Sequence, residues 1–315
     1  MSDADSDSVS TQTSLAGWTD VTAQLRQNAT SRWGLYVIAV VIAVAVWAFI
    51  DGVLLGYHFA ETYWHSPVTA DPGARSLLPP VGITNEFGTG VWAHPLGTDH
   101  RGRDILARLV YGTRIAIQIG IVATGLGAAV GTVIGAISGY YGGWVDDVLQ
   151  RLVETFYAIP FIVLMIAIMS TFGRNLWIAI VGVSVITTPV FARLIRSEVL
   201  SVREEEYIEA AKAAGVRDRN IIRRHIIPNS LAPVLVQATL QVGVNILIVA
   251  ALSFLGFGAQ PPTPSWGAML AQSRTYMLPN PWFSFWPGLA ILVTVVGFNL
   301  IGDGLRDAFD PRLDD

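Results

Sequence analysis

The sequence predicts an all-α membrane protein built as a bundle of six transmembrane helices. Three observations carry that prediction. Hydrophobic residues fill 52% of 315 positions and charged residues only 14%, a balance too apolar for an ordinary soluble domain. Charge-free runs recur along the chain, each at or near the roughly 20 residues that a helix needs to cross a bilayer. Finally, the long densely charged segment, Glu204 to Pro228, lies between two such runs rather than at an end.

Residues 1–31 carry Asp3, Asp5, Asp7 and Asp20 against Arg26 and read as a disordered acidic tail. The tail lacks a basic start and a cleavage pattern, so it does not read as a secretory signal. The first span, within 32–56, covers Trp33 to Ile50 and stays as an anchor. Residues 57–110 form a polar, proline-bearing external loop. Within it, Ile105, Leu106, Leu109 and Val110 recur at helical spacing beside Arg103, Asp104 and Arg108. That pattern predicts an amphipathic helix lying at the interface, capped by Thr98 or Asp99.

Residues 111–303 form the core, with spans at Ile115 to Val145, Thr155 to Gly173, Asn175 to Ala192, Ile226 to Phe254 and Thr275 to Gly302. Short connections make spans two to four antiparallel neighbours. Gly127, Gly131 and Gly135 in span two are four apart, a small-residue face that lets helices approach closely in lipid. Gln237, Gln241 and Asn245 fall in one sector of span five, with Asn299 on span six as a possible partner. These amides either line a translocation pathway or bond between helices. Residues 257–285, rich in Pro and Trp, read as an external interfacial cap, and 304–315 as a cytoplasmic tail.

Basic residues set the orientation. With the amino terminus inside, thirteen of the twenty Lys and Arg face the cytoplasm, as the positive-inside rule prefers. Arg101, Arg103, Arg108 and Arg114 fit this poorly, and Asp99 and Asp104 are their expected partners.

Several chemistries are excluded. The single lysine, Lys212, lies between Ala211 and Ala213, so no GxxxxGK[ST] phosphate loop exists and no catalytic residue is expected in this chain. With no cysteine, there is no thiolate metal site. His58, His65, His94 and His100 share the 57–110 loop, but their spacing matches no standard metal site; they read as surface or interfacial residues, with no metal and no cofactor. Asp51, Arg114, Glu154 and Asp303 lie near span ends, so a proton relay is not apparent and an ion-driven transporter is disfavoured. No nucleic-acid partner is expected.

The charged segment itself reads as a cytoplasmic helical hairpin over 203–228. Glu204 to Ala214 favours helix, Gly215 suits a left-handed stop, and Asp218 is placed to cap a second helix before Pro228. Six basic and six acidic residues balance between Ser197 and Pro228, which removes a polybasic lipid patch. Tyr207, Ile208, Ala211 and Ala214 share a face that suits a docking protein.

Glu209, Ala210, Ala211, Gly215, Ile227 and Pro228 resemble the EAA motif of ABC-importer permeases, with His225 and Ile227 departing from its general form. HPLGTDHRGRD at 94–104, SGYYGGWVDD at 138–147, RHIIPNS at 224–230, LSFLGFGAQPPTPSWG at 252–267 and FNLIGDGLRDAFDPR at 298–312 are similar to the C-type permease of the dipeptide, oligopeptide and nickel branch. The resemblance implies the type I ABC importer permease fold in a plasma (inner) membrane, both termini cytoplasmic. It implies as partners a second homologous permease subunit, two cytoplasmic nucleotide-binding ATPase subunits, an external solute-binding protein and membrane lipids. ATPase docking would fall to Tyr207, Glu209, Ala210, Ala211, Ala214, Gly215, Ile227 and Pro228. Peptides are the expected substrates, with nickel chelates or sugars as alternatives inside the family and a non-transporting scaffold or receptor outside it.

Overall fold

The computed structural model describes residue 25, residues 28–71 and residues 73–309; most of the acidic tail and the last residues of the carboxyl-terminal tail lie outside these, whereas residues 29–31, expected to belong to the disordered tail, are already helical because Asn28 caps them. Five helices among them are long and apolar enough to cross a membrane, and a bent pair supplies a sixth span if it counts as one.

Asn28 starts α1, Ala29–Phe49, by accepting a hydrogen bond from the Thr30 amide at 3.0 Å. A π-helical turn, Ile50–Leu54, extends it. The short helix α2, His58–Tyr63, follows, and the loop beyond it contains a two-stranded antiparallel ribbon, β1 Thr84–Asn85 and β2 Gly88–Thr89.

Helix α3, Ile105–Tyr141, has 37 residues and, at 1.5 Å per residue, spans about 55 Å. It absorbs the segment expected to lie flat at the interface. Ile105, Ala107 and Arg108 are buried in its first turn, so that segment is the upright start of a core helix. Its cap is Asp104, whose Oδ1 accepts from the Ala107 amide at 2.7 Å, rather than Thr98 or Asp99. Asp99 is already engaged by the Arg101 and Arg103 amides and the Arg103 Nε.

The third span is broken. Helix α4, Gly143–Ala158, and helix α5, Phe161–Phe172, meet at 89°, so Thr155 to Gly173 is not one straight helix. Ile159 is extended because the ring of Pro160 disfavours helical geometry in the residue before it. Helix α6, Leu176–Val202, is capped by Asn175.

The hairpin comprises α7, Glu206–Ala213, and α8, Asp218–Ile221. A π-helical turn, Ile222–Ile226, and the single turn α9, Ile227–Asn229, lead into α10, Leu231–Phe254. The loop-side cap holds α11, Trp266–Ser273, and the chain returns along α12, Trp282–Phe309.

Helix α3 is the axis of the bundle, touching α6, α10 and α1, while α12 packs on α10 and α1. The close α3–α6 pairing rests on glycine. A Cβ at Gly127, Gly131, Gly135 or Gly139 would stand 2.8 Å from Thr187 Cβ, 2.6 Å from Phe191 Cβ, 2.9 Å from Ile195 Cβ and 2.9 Å from Val199 Cβ respectively. Nothing larger than hydrogen fits at that distance, which is how small residues bring helix backbones together in lipid.

Candidate functional site

Three polar assemblies lie along this bundle. The first is the hairpin. Ile208, Ile221 and Ile226 are fully buried against Tyr140 of α3 and Val199 of α6, which fastens one face of the hairpin to the core. The Tyr140 hydroxyl donates to Asp218 Oδ1 at 2.8 Å. Asp218 is therefore the first residue of α8 rather than its cap; Arg217 takes the cap position.

The opposite face is open. Tyr207, Glu209, Ala210, Ala214, Gly215 and Pro228 are exposed, and Asn229 donates to the Tyr207 hydroxyl at 2.9 Å. Ala211 and Ile227 are partly buried against the core. The apolar face expected to carry Tyr207, Ile208, Ala211 and Ala214 together is thus divided, with Ile208 and Ala211 turned inward because α7 has to bury an apolar stripe of its own. Gly215 has φ +76°, the left-handed geometry of a helix stop.

At the same end, Arg196 Nε and Nη2 grip Asp146 at 2.6 and 2.5 Å, Ser138 also donates to Asp146, and Arg203 donates to the Gly139 carbonyl at 3.0 Å. Both arginines thereby tie α6 to the α3–α4 corner.

The second assembly is the amide row. Asn245 is fully buried. Its Oδ1 accepts from Thr187 and Gln241, each at 3.1 Å, and its Nδ2 donates to Thr124 at 2.9 Å. This joins α3, α6 and α10. Gln237 is half-buried and Asn299 exposed; Asn299 approaches Gly243 and is not bonded to Asn245.

The third assembly is at the other end, where residues 64–71 and 73–104 fold down onto the cap. Arg103 Nε lies 2.7 Å and Arg108 Nε 3.5 Å from Asp99 Oδ2; Arg103 and Arg108 also donate to Gln272 of α11, and Arg108 to the Pro67 carbonyl at 3.1 Å. Asn280 holds the Leu77 carbonyl at 3.0 Å. These arginines are a buried framework rather than an interfacial fringe. The histidines differ from expectation as well. His58 is exposed, but His94 is buried and bonded to Asp104 at 3.0 Å, and His65 pairs with Asp71 at 2.8 Å. His100 stacks against Tyr276 and Phe283. Burial lowers its pKa below the ordinary value, the Asp99 carboxylate opposes this, and the Arg103, Arg101 and Arg108 charges add to it.

The profile of the "Binding-protein-dependent transport system inner membrane component" family matches residues 131–315. The chain belongs to that family. The permease is 42% identical over 96% of its length, and 92% of the relative's, to the dipeptide transport system permease protein DppC of Alkalihalophilus pseudofirmus. It is 38% identical over 92% of its length, and 89% of the relative's, to the glutathione transport system permease protein GsiD of Pectobacterium atrosepticum. Among solved structures, the inward-facing methionine ABC transporter MetNI aligns with a TM-score of 0.55 at 21% identity, covering 64% of the permease and 97% of that chain. The fold is therefore that of ABC importer permeases, and the protein is a multi-pass inner-membrane permease subunit of an ABC importer.

Sequence reasoning did not assign roles to Tyr140, Asp146 or Asp71 in this permease. Tyr140 and Asp146 lie inside SGYYGGWVDD, which was recognisable as a motif; nothing local marks Asp71.

Proposed function

We propose that the permease imports short peptides delivered by an external solute-binding protein, with hairpin 203–228 receiving the force of ATP hydrolysis from a cytoplasmic ATPase. The observation that carries the coupling role is the two-faced hairpin. One side is locked to α3 and α6 through Ile208, Ile221, Ile226 and the Tyr140–Asp218 bond, and the other presents Tyr207, Glu209, Ala210, Ala214, Gly215 and Pro228. A partner gripping the open side moves the bundle, because the anchored side cannot slip; rigid-body movement of this kind is a standard form of conformational switching. Ala211 and Ile227 shape the base of the docking surface. The absence of a lysine phosphate loop supports hydrolysis in separate subunits, two of them serving this chain and a homologous second permease.

Peptide cargo is supported by the names of the relatives, which are dipeptide and glutathione permeases. Basic-residue placement supports both termini and the hairpin lying in the cytoplasm. Gln237, Gln241, Asn245 and Asn299 are the pathway candidates on α10 and α12. Of these, Gln237 is the strongest, since Gln241 and Asn245 are engaged in bonds between helices.

The test is reconstitution in proteoliposomes with the partner permease, the ATPase subunits and the binding protein. ATP-dependent uptake of a labelled dipeptide or of glutathione is expected; uptake of only a nickel chelate or a sugar would overturn the peptide assignment.

A further inference from the structure

Two imidazoles and two carboxylates meet beside the start of α3, each donor brought there by a different stretch of chain or a different turn of the same loop. His65 and Asp71 follow α2, His94 follows β2, and Asp104 caps α3. Ligand atoms of His65, His94 and Asp104 all lie within 4.8 Å of one another. His65 Nδ1 is 2.8 Å from Asp71 Oδ2, His94 Nδ1 is 3.8 Å from that same oxygen and 3.0 Å from Asp104 Oδ2.

The proton inventory around His65 is informative. Its Nε2 lies 2.7 Å from the Ala93 carbonyl, which only accepts, so Nε2 carries the proton. In the neutral ring Nδ1 then offers a lone pair toward Asp71 Oδ2, another acceptor. That oxygen is shielded from solvent and receives no hydrogen bond from any described residue. A cation is shared between these two atoms, a proton when the ring is an imidazolium and a metal ion when one is bound.

The surroundings have the form of an outer coordination shell. Metal-bound imidazoles characteristically donate their second N–H to a carbonyl or carboxylate, as His65 does to Ala93. Asp104 Oδ1 is fixed by the Ala107 amide at 2.7 Å, leaving Oδ2 free to point at His94. A cavity of about 470 Å³, lined by His65, Asp71 and His94 and also by Arg75, gives access from one side.

We propose that His65, His94 and Asp104, with Asp71 closing the set from beside His65 and His94, form a binding site for one divalent transition-metal cation of the zinc class. Tetrahedral zinc, with bonds to nitrogen and oxygen of about 2.0–2.2 Å, places neighbouring donors about 3.3–3.6 Å apart, between the 2.8 and 3.8 Å separations of the histidine–carboxylate pairs. Imidazole donors select such borderline ions, whereas calcium takes six to eight oxygens and magnesium an octahedral oxygen shell. On binding, the metal takes the place of the proton between His94 Nδ1 and Asp104 Oδ2, which is released to solvent, and residues 65, 71, 94 and 104 become cross-linked at the head of α3. The cation is a resident staple of the loop, not transported cargo.

The experiment uses the full-length permease, purified without a polyhistidine tag, stripped with a chelator and titrated with Zn²⁺ and separately with Mg²⁺. Calorimetry, metal analysis after desalting, and thermal unfolding are read together, with Co²⁺ absorption as a reporter of imidazole ligation. One Zn²⁺ per chain, a raised Tm and no effect of Mg²⁺ are expected. Asp71→Asn, which preserves shape, and His65→Gln are each expected to weaken Zn²⁺ binding by at least about tenfold, the lower bound for disturbing even an outer partner; the exposed His58→Ala serves as the unchanged control. The proposal is overturned if the wild type retains no stoichiometric Zn²⁺, if Asp71→Asn and His65→Gln bind as the wild type does, or if Mg²⁺ binds equally well.

Discussion

The hydroxyl of Tyr140, in the last turn of α3, donates to Asp218 Oδ1 at the first residue of α8, across 2.8 Å and 78 positions of sequence. This bond fastens the long core helix to the distal arm of the hairpin. Tyr140→Phe keeps the ring that packs in the buried cluster and removes only the bond, worth about 1 kcal/mol. The variant is expected to bind the ATPase normally while transporting fewer solutes per ATP; equal coupling ratios in proteoliposomes would show that the bond is not in the path of force.

Gly215 concerns the other face. A Cβ there meets nothing within 4 Å, yet φ is +76°, so a β-branched residue adds backbone strain of roughly 1–2 kcal/mol without an internal clash. Gly215→Val is expected to leave a folded, monodisperse permease that no longer retains the ATPase in co-purification. Retention together with normal transport would remove Gly215 from the docking surface.

Gly131 contrasts with it. Its missing side chain is filled by Phe191, so Gly131→Leu forces α3 and α6 apart. Overpacking of this sort costs about 1–3 kcal/mol, and the variant is expected to show a lowered Tm in detergent, unlike a leucine at Gly125, beside which nothing lies within 4 Å.

The amide row divides into two expected behaviours. Asn245→Leu removes bonds to α3 and α6, each worth about 0.6 kcal/mol in membrane proteins, and is expected to lower thermal stability. Gln237→Leu is expected to leave stability unchanged and to alter uptake kinetics. If uptake is unaffected while stability falls, Gln237 is a packing residue as well.

His100 sets a pH dependence. Burial lowers its folded-state pKa below 6.5, the Arg103, Arg101 and Arg108 charges act in the same direction, and Asp99 opposes them. The unfolded chain then binds the proton more readily, so stability is full above about 6.5 and declines as pH falls through the lowered folded-state value. His100→Phe, which keeps the stack on Tyr276 and Phe283, is expected to flatten the Tm profile in that window.

Much of the architecture was legible along the chain because lipid forces a local solution: long apolar runs have to satisfy their own backbone as helices. The run lengths, the glycine spacing of α3, the stop at Gly215 and the family motifs each depend on residues a few positions apart. The spans at Ile115 to Val145 and Thr155 to Gly173 were less accurately bounded. In the first case Asp104, rather than a change of hydropathy, starts the helix; in the second, Pro160 divides an apolar run that composition alone presents as continuous.

The sequence by itself determined the membrane bundle, the charged hairpin and the lack of a lysine phosphate loop. Tertiary structure decided which groups share a neighbourhood. Arg103 and Arg108 became a buried framework because Gln272, 169 and 164 positions away, converges on them beside the sequence-local Asp99. His65, Asp71, His94 and Asp104 became one cluster because the loop folds back onto the head of α3. No periodicity encodes such meetings: they follow from burying Leu77 against Trp266, Met269 and Phe283, a hydrophobic gain that carries the polar side chains into place with it.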